Sequence, residues 1–335
     1  MFAVLYLFYN TYSSSDEVIE HAQPYLQKVA LEDMGLRSYA ASIASGCPSG
    51  EKECQLNKVY RHIVEGFNYY NDPRNKELIQ TPYETIKIKG GDCEDLTILL
   101  NSLLENIGIK TYLVLTEQHA YSLACDINSE KLFPYIRKSI AEQISKDYSL
   151  SREIITEDED IFELQQKQQA FALKSGHIFY YGNQEEQSLS NFTDYLNIKY
   201  SVSSEKPIDV YVVPSLEDYE LLRESEKFMR YPSCSHENIL KIEDSCNYLD
   251  SYGGVILQNH NYEDTEIELS TKFYFHYNLT DFFNEQKVWR YKLNNKDCVI
   301  LDSTLGKYGY PGYNANITGE KIAIDPLTKE YLYLQ

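Results

Sequence analysis

KIKGGDCEDLTILLNSLLENIGIKTYLVLTEQHAYSLACD, residues 87–126, sets a lone cysteine between two acidic residues just where an apolar-periodic run begins. Apolar residues fall at Leu96, Leu99, Leu100, Leu103, Leu104 and Ile107, the repeat of one buried helix face. Asp92 fits the N-cap, Asp95 its capping-box partner and Gly108 the stop. Cys93 is then the first helical residue, close to the buried stripe. A helix N-terminus presents unpaired N–H groups and about half a positive charge. Thiols placed there have pKa values lowered to about 3.5–7.5, from about 8.5 when free. With Asp92 and Asp95 spent on the helix amides, Cys93 reads as a reactive thiol. On this stretch alone a buried structural cysteine is an equal alternative.

The residues after the helix favour the reactive thiol. Ile109–Leu115 is rich in strand formers, a polar break follows, and His119 opens a second strand that runs to Asp126. A histidine entering a strand that folds back along the helix can face a thiol at the helix start, take its proton and hold the thiolate ready. A third group should orient the imidazole through its other nitrogen. Downstream, Trp289–Tyr313 reads as a hairpin whose second strand ends in Asp302, which is also an ordinary turn initiator.

GGDCEDLTILLNSLLENIGIKTYLVL, HAYSLACD and CVILDSTLG, in that order, resemble the transglutaminase-like superfamily, in its microbial cysteine-peptidase form. The upstream segment VYRHIVEGF…IQTPYETIKIKGGDCED fits as well, so the resemblance covers residues 35–126 and 286–313. It implies an α+β fold with a papain-like core. It further implies Cys93 as nucleophile, His119 as general base and acid, and Asp302 as orienter. One departure is large: His119 and Asp302 are separated by a long intervening stretch where the family usually has a short connection. Asp126, on the His119 strand itself, is therefore the second candidate for the orienting position.

The departure predicts an insertion over 127–284, between core segments 16–126 and 285–335. EKLFPYIRKSIAEQISKDY and EDEDIFELQQKQQAFALKSG read as helices, giving a helical part over 127–176. LNIKYSV and EIELSTKFYF alternate at period two, and IDVYVV and GGVILQN complete at least four strands. Residues 177–283 thus read as a small all-β sandwich that could bind another protein.

The net charge of −20 argues against nucleic acid or an anionic membrane surface as the main partner. Residues 1–15 open with nine apolar positions, MFAVLYLFY, against the roughly 20 needed to cross a bilayer, and no Lys or Arg precedes Lys28. Two readings stay open for it: the end of a membrane anchor, or a segment packed on the body. Sequons at Asn191, Asn278 and Asn316 occur at a frequency that says nothing about secretion. Cys234, His236, Cys246 and His260 are metal-ligand types at a spacing that matches no usual zinc pattern. The acidic run Thr156–Glu163 lacks the alternation and glycine of a calcium loop and reads as a solvated helix start.

No cofactor and no metal is expected. The chemistry expected is thiol-dependent acyl transfer on amide bonds of a protein or peptide, hydrolytic before cross-linking. The oxyanion would rest on the Cys93 N–H and a donor near Gln80 to Tyr83. A transglutaminase or deamidase acting on Gln, and a non-catalytic protein that keeps the fold, are the alternatives.

Of seven cysteines, six remain beside Cys93. Cys47 and Cys54 bracket one turn, and Cys234 and Cys246 one segment of the insertion. Cys125 and Cys298 share faces with His119 and Asp302. They come close if those two strands lie antiparallel, with residue 119 near residue 302. Three disulfides would call for an oxidising compartment.

Overall fold

The computed structural model describes residues 15–73, 76–147, 153–157, 160–182, 193–313 and 317–334. In chain order the elements begin with α1 (Ser15–Leu26), α2 (Met34–Ile43), α3 (Lys52–Gly66), β1 (Asn68–Tyr69), α4 (Pro82–Ile88), β2 (Gly90–Gly91), α5 (Cys93–Asn106), β3 (Thr111–Leu115), β4 (Ala120–Cys125) and α6 (Ser129–Asp147). There follow β5 (Glu153–Glu157), β6 (Asp160–Leu173), β7 (Ile178–Gly182), β8 (Thr193–Val213), α7 (Leu216–Arg223), β9 (His236–Leu249), β10 (Gly254–Gln258) and β11 (Thr265–Tyr277). The last four strands are β12 (Arg290–Leu293), β13 (Lys296–Leu301), β14 (Lys321–Ile324) and β15 (Tyr331–Leu334). The chain is α+β. It divides into two compact units, one reaching Ile140 and resuming at Phe282, the other Ala141–Asp281. Among the described residues no helix is long and apolar enough to cross a membrane. The apolar segment 1–15 lies almost wholly outside them.

In the first unit a six-stranded antiparallel sheet runs β12-β13-β4-β3-β14-β15, with α5 packed on β3 and β4. The helix is enclosed on nearly every side: Leu96, Ile98, Leu99, Leu100, Leu103 and Leu104 are all buried, and so are Thr97, Asn101 and Ser102. Its polar residues therefore work inward. Thr97 Oγ1 donates to the Ala120 carbonyl at 3.1 Å, and Ser102 Oγ accepts the Ala30 N–H at 3.0 Å. The helix stops in a Schellman motif at Gly108, whose φ of 83° favours glycine; Ile109 N–H returns to the Leu104 carbonyl. Asp92 sits at the N-cap with no side-chain cap bond, while the Asp95 carboxylate takes the Asp92 N–H. Only half of the expected capping box forms.

β13 pairs with β4 in the register Cys298↔Cys125 to Leu301↔Ser122. Cys125 and Cys298 are disulfide-bonded, with Cα atoms 3.9 Å apart. Cys47–Cys54 and Cys234–Cys246 are bonded too, and Cys93 is the free cysteine.

The second unit begins at Ala141. α6 forms where expected, but its first half belongs to the first unit: Asn57 Nδ2 donates to the Tyr135 carbonyl at 3.1 Å and to Ser139 Oγ at 2.6 Å. Leu132, Ile136 and Ile140 carry its buried stripe. The second predicted helix is wrong. Residues 153–157 and 160–173 are antiparallel strands, and β6 pairs with β11 over twelve positions. Gln, Lys and Ala favour helix locally, and long cross-strand pairing overrides them.

The second unit holds one seven-stranded antiparallel sheet, β5-β6-β11-β8-β10-β7 with β9 on β8, in place of two separate sheets. β8 pairs first with β11 and then, past a bulge near Pro207, with β10. Asn259 ties the matching break in the neighbouring strands, donating to the Leu173 and Glu263 carbonyls at 3.0 Å. The sheet curls at that level. Phe179 then meets Phe171, and Tyr181 meets Phe273, with ring centroids 4.5 and 5.4 Å apart. The core holds Ile198, Tyr200, Val202, Ile267, Leu269 and Phe275.

Candidate active site

The two glycines before Cys93 are required by close packing. β1 lies parallel on β2, with Asn68 opposite Gly90 and Tyr69 opposite Gly91. A Cβ on Gly90 would come within 2.4 Å of the Asn68 carbonyl and of the Tyr70 ring; on Gly91 it would come within 2.5 Å of the Asp95 side chain. Asp95 is fixed there by Gln80, whose N–H and Nε2 donate to its two oxygens at 2.7 and 2.6 Å. The Gly-Gly-Asp-Cys-x-Asp pattern is thus a tight strand-to-helix entry that holds Cys93 at the first position of α5.

Cys93 is half-buried against the apolar cluster of Leu113, Leu115 and Ala120. Its Sγ–H donates to Glu94 Oε2 at 3.1 Å. Burial first, and then the Glu94 carboxylate, push the thiol well above its ordinary range; a hydrogen bond from the Ala120 N–H works the other way. The helix-start effect expected from sequence is outweighed, first by burial and then by Glu94 turned onto the sulfur.

His119 enters β4 through a tight turn in which Thr116 Oγ1 accepts the His119 N–H at 2.9 Å and donates to its carbonyl at 3.0 Å. His119 Nε2 meets Asp302 Oδ2 at 2.9 Å. Asp302, 2% exposed, also accepts from the Thr304 N–H and hydroxyl at 3.0 and 2.7 Å. Burial alone would raise this carboxyl, yet the bonds from His119 and Thr304 hold it below the ordinary range. The Tyr60 hydroxyl donates to the Asp302 carbonyl at 2.8 Å, anchoring the segment from α3. With Asp302 on Nε2, Nδ1 is the nitrogen left to exchange a proton, and the residue after His119 has its N–H on the Cys93 sulfur.

Asp126 does not take part. It lies at the surface with φ 64° and pairs with Lys52 at 2.8 Å. Gln80 and Tyr83, expected near the oxyanion, are engaged elsewhere: Gln80 on Asp95, and the Tyr83 hydroxyl on Asp33 at 2.7 Å. Sequence reasoning missed the hold of Glu94 on the thiol. Adjacency in Asp-Cys-Glu was the one signal for Glu94.

A carboxylate cluster borders the thiol. Asp72, Asp92 and Glu94 each bring an oxygen within 4.8 Å of the others, an all-oxygen set that could take a divalent cation. Burial first, then neighbouring charge, push Asp92, Glu94 and Asp95 up to about 7 each. The Cys/His set of the second unit offers no zinc site: Cys234 is bonded to Cys246, His236 meets Asp244 at 2.6 Å, and His260 meets Asp209 at 2.8 Å. The run Thr156–Glu163 is a strand pair, not a helix start, with residues 158 and 159 outside the described ones.

Residues 43–130 match the transglutaminase-like domain family. That transglutaminase-like segment holds Cys93 and His119, with Asp302 beyond it. No curated protein sequence matches the chain. Among solved structures, Bacillus endospore appendages, described as disulfide-linked pili, match at 8% identity and TM-score 0.21, covering 34% of this chain and 89% of that one. The capsular polysaccharide assembling protein CapF from Staphylococcus aureus matches at 11% identity and TM-score 0.18, covering 79% of each chain. IMPa from Pseudomonas aeruginosa, in complex with an O-glycopeptide, matches at 9% identity and TM-score 0.17, covering 78% of this chain and 23% of that one. At these scores the likenesses carry no argument.

Proposed function

We propose that the chain is a thiol-dependent acyl-transfer enzyme acting on amide bonds, a cysteine peptidase or amidase on a papain-like, transglutaminase-like core. The observation that carries this reading is the 2.9 Å bond between His119 and the buried Asp302, beside a free cysteine at a helix start. His119 Nδ1 takes the Cys93 proton, and the sulfur attacks the amide carbon. Asp302 keeps the imidazole turned and stabilises its charge. The imidazolium then gives its proton to the departing amine, and water, activated by the same nitrogen, resolves the thioester. An amine in place of water would make the same site a transglutaminase, and a Gln side chain as acyl donor would make it a deamidase.

The second unit fits an inserted binding module for a protein partner, and the substrate is a protein or peptide. Three disulfides suit an oxidising compartment. Residues 1–15 are the proposed route to a membrane.

A non-catalytic binding protein is the second reading, favoured by Glu94 on the thiol. Two measurements separate the two: burst release of p-nitrophenol from p-nitrophenyl acetate, and iodoacetamide labelling across pH. An enzyme gives a burst that Cys93→Ala abolishes, and Cys93 labels faster in the wild type than in His119→Ala. Labelling indifferent to His119, with no burst, leaves the binding protein.

A further inference from the structure

We propose that the outer face of the second unit's sheet binds a carboxylate-bearing oligosaccharide, free or carried on a protein, with Lys199 and Lys272 holding its carboxylates and Tyr248 its ring face. The site lies wholly within Ala141–Asp281 and does not depend on the chemistry at Cys93.

Alternation places the residues. On β11 and β8, Thr271, Phe273, Ile198 and Tyr200 are buried, so Lys272, Ser270, Lys199 and Ser201 leave on the opposite side. The register sets them in two rows across β6, β11, β8 and β9: Gln166–Lys272–Lys199–Ser245 and Gln168–Ser270–Ser201–Glu243. Short serines between longer glutamines and lysines leave two recesses of about 310 and 470 Å³, which share Ser270 and Lys272.

Charge is the second observation. Lys199 lies directly opposite Lys272, a placement that sets Cβ atoms roughly 4.5–5.5 Å apart. Like charges so placed destabilise a sheet. The chain has 51 acidic residues against 31 Lys and Arg, so composition does not force two lysines together. Lys199 is partly served, by Glu157 at 3.8 Å and by the Tyr274 ring, 4.7 Å from its centroid. Among the described residues Lys272 has no ion pair, and the side chains of Gln166, Gln168, Ser201 and Ser270 make no hydrogen bond. An anion between the two ammonium groups removes their repulsion, and the free amides and hydroxyls offer donors and acceptors to sugar hydroxyls. Glu243 bounds the patch on the β9 side.

Tyr248 is the third. Cys246 pairs with Ile198 and Leu249 with Leu196, so β9 sets two residues against Asn197 in a bulge. Tyr248 takes φ 58° there, a region that bulky side chains seldom enter, and its N–H donates to Asn197 Oδ1 at 2.9 Å. The bulge leaves a ring that is 77% exposed and rests against Tyr195, with centroids 4.9 Å apart. Asn197 shares the face of Lys199 and lies two residues along β8, roughly 7 Å away. An aromatic ring at that distance from a cation pair suits a pyranose. The sugar's C–H face packs on the ring, and its carboxylate, or that of the next sugar, reaches the lysines. A protein partner would need an apolar centre to its interface, whereas Ser, Gln and Lys dominate the recesses.

Calorimetric titration of the full chain tests this with oligogalacturonate, oligoalginate and oligohyaluronate. Methyl-esterified oligogalacturonate and poly-L-glutamate are the controls. Expected is binding of an acidic oligosaccharide that weakens at least about tenfold on esterification, and as much in Lys199→Gln/Lys272→Gln. Tyr248→Ala weakens acid and ester alike and leaves the salt dependence of acid binding unchanged. Thermal melting shows that the variants are folded, and Lys272→Gln alone carries the test should the double variant melt early. The inference is overturned if none of the three acids binds below about 1 mM. Ester bound as tightly as acid, or lysine variants that bind like wild type, would overturn it as well. Poly-L-glutamate bound as tightly as the oligosaccharides, with Tyr248→Ala indifferent, would make the face a site for acidic peptide and overturn the oligosaccharide.

Discussion

On the strand side of the site Asp302 is 2% exposed and still held ionised, because His119 and Thr304 donate three hydrogen bonds to it. On the helix side Asp92, Glu94 and Asp95 are also buried, at 7, 6 and 1% exposure, and each is pushed up to about 7. The residue type and the degree of burial are alike, and the outcomes are opposite. The difference lies in the neighbours. Asp302 faces donors and an imidazole. Asp92 and Glu94 face each other, Asp72 and Glu77. Asp95 accepts from Gln80 twice and from the Asp92 N–H, yet it lies beside Asp92 and Asp72 with no imidazole. Desolvation penalises every buried carboxylate, and at Asp95 donors beside like charge do not reverse it, whereas at Asp302 donors together with an imidazole do. The strand side accordingly holds an ionised carboxylate on an imidazole, while the helix side surrounds the thiol with carboxyls that are pushed up.

Removing the donor geometry of the strand side breaks the comparison most severely. In Asp302→Asn the shape is kept, but the amide can offer Nε2 a donor, and the imidazole loses both its preferred tautomer and the charge that supports its protonated form. Thiol acylation should fall by about 10²–10⁴-fold with the fold intact. Single-turnover rates with p-nitrophenyl acetate, checked by melting, decide this. A loss below tenfold would mean that Asp302 only braces the turn at Thr304.

Glu94→Gln sharpens the comparison from the helix side. Glu94 is the largest charged cause of the raised thiol pKa, and glutamine removes that charge with nearly the same shape. The midpoint for Cys93 alkylation should move to lower pH. One unit is a tenfold gain in thiolate at neutral pH, and at least about that much is expected. An unchanged iodoacetamide profile would show that burial alone sets the thiol.

Much of this site could be read from the chain, for identifiable reasons. The α5 face, its Gly108 stop and the strand-opening His119 are local patterns, and local periodicity carries them. The Cys125–Cys298 pairing followed from alternation along two strands. The register ends with Leu301 opposite Ser122, so Asp302 reaches His119 diagonally and not as a direct partner. What stayed hidden depends on distant packing. Residues 160–173 look helical because Gln, Lys and Ala are good helix formers, yet β11 recruits them as a strand. The first half of α6 joins the first unit through Asn57, which nothing near residue 135 announces.

The smallest expected effect is on stability, and its sign follows from the same contrast. Asp92, Glu94 and Asp95 carry folded pKa values of about 7, against ordinary values of 3.8, 4.5 and 3.8. Between about pH 4 and pH 7 the folded chain therefore binds protons that the unfolded chain has lost. Stability is full near the lower limit and declines as pH rises through the folded values. Asp302, Asp325 and Asp33 are shifted downward, so they matter only in stronger acid. His62, pushed down mainly by burial, opposes the trend near neutrality, while Glu105, pushed up mainly by burial, joins it. The melting temperature should thus fall from pH 5 to pH 8, by about 3 °C if the net effect is about 2 kcal/mol. An Asp92→Asn/Glu94→Gln double variant supplies the control, because general repulsion in a chain of net charge −20 would lower the melting point of wild type and variant alike. The slope belongs to the helix-side cluster only if the double variant flattens it. Parallel curves would assign it to surface charge and leave the carboxyls of α5 ordinary.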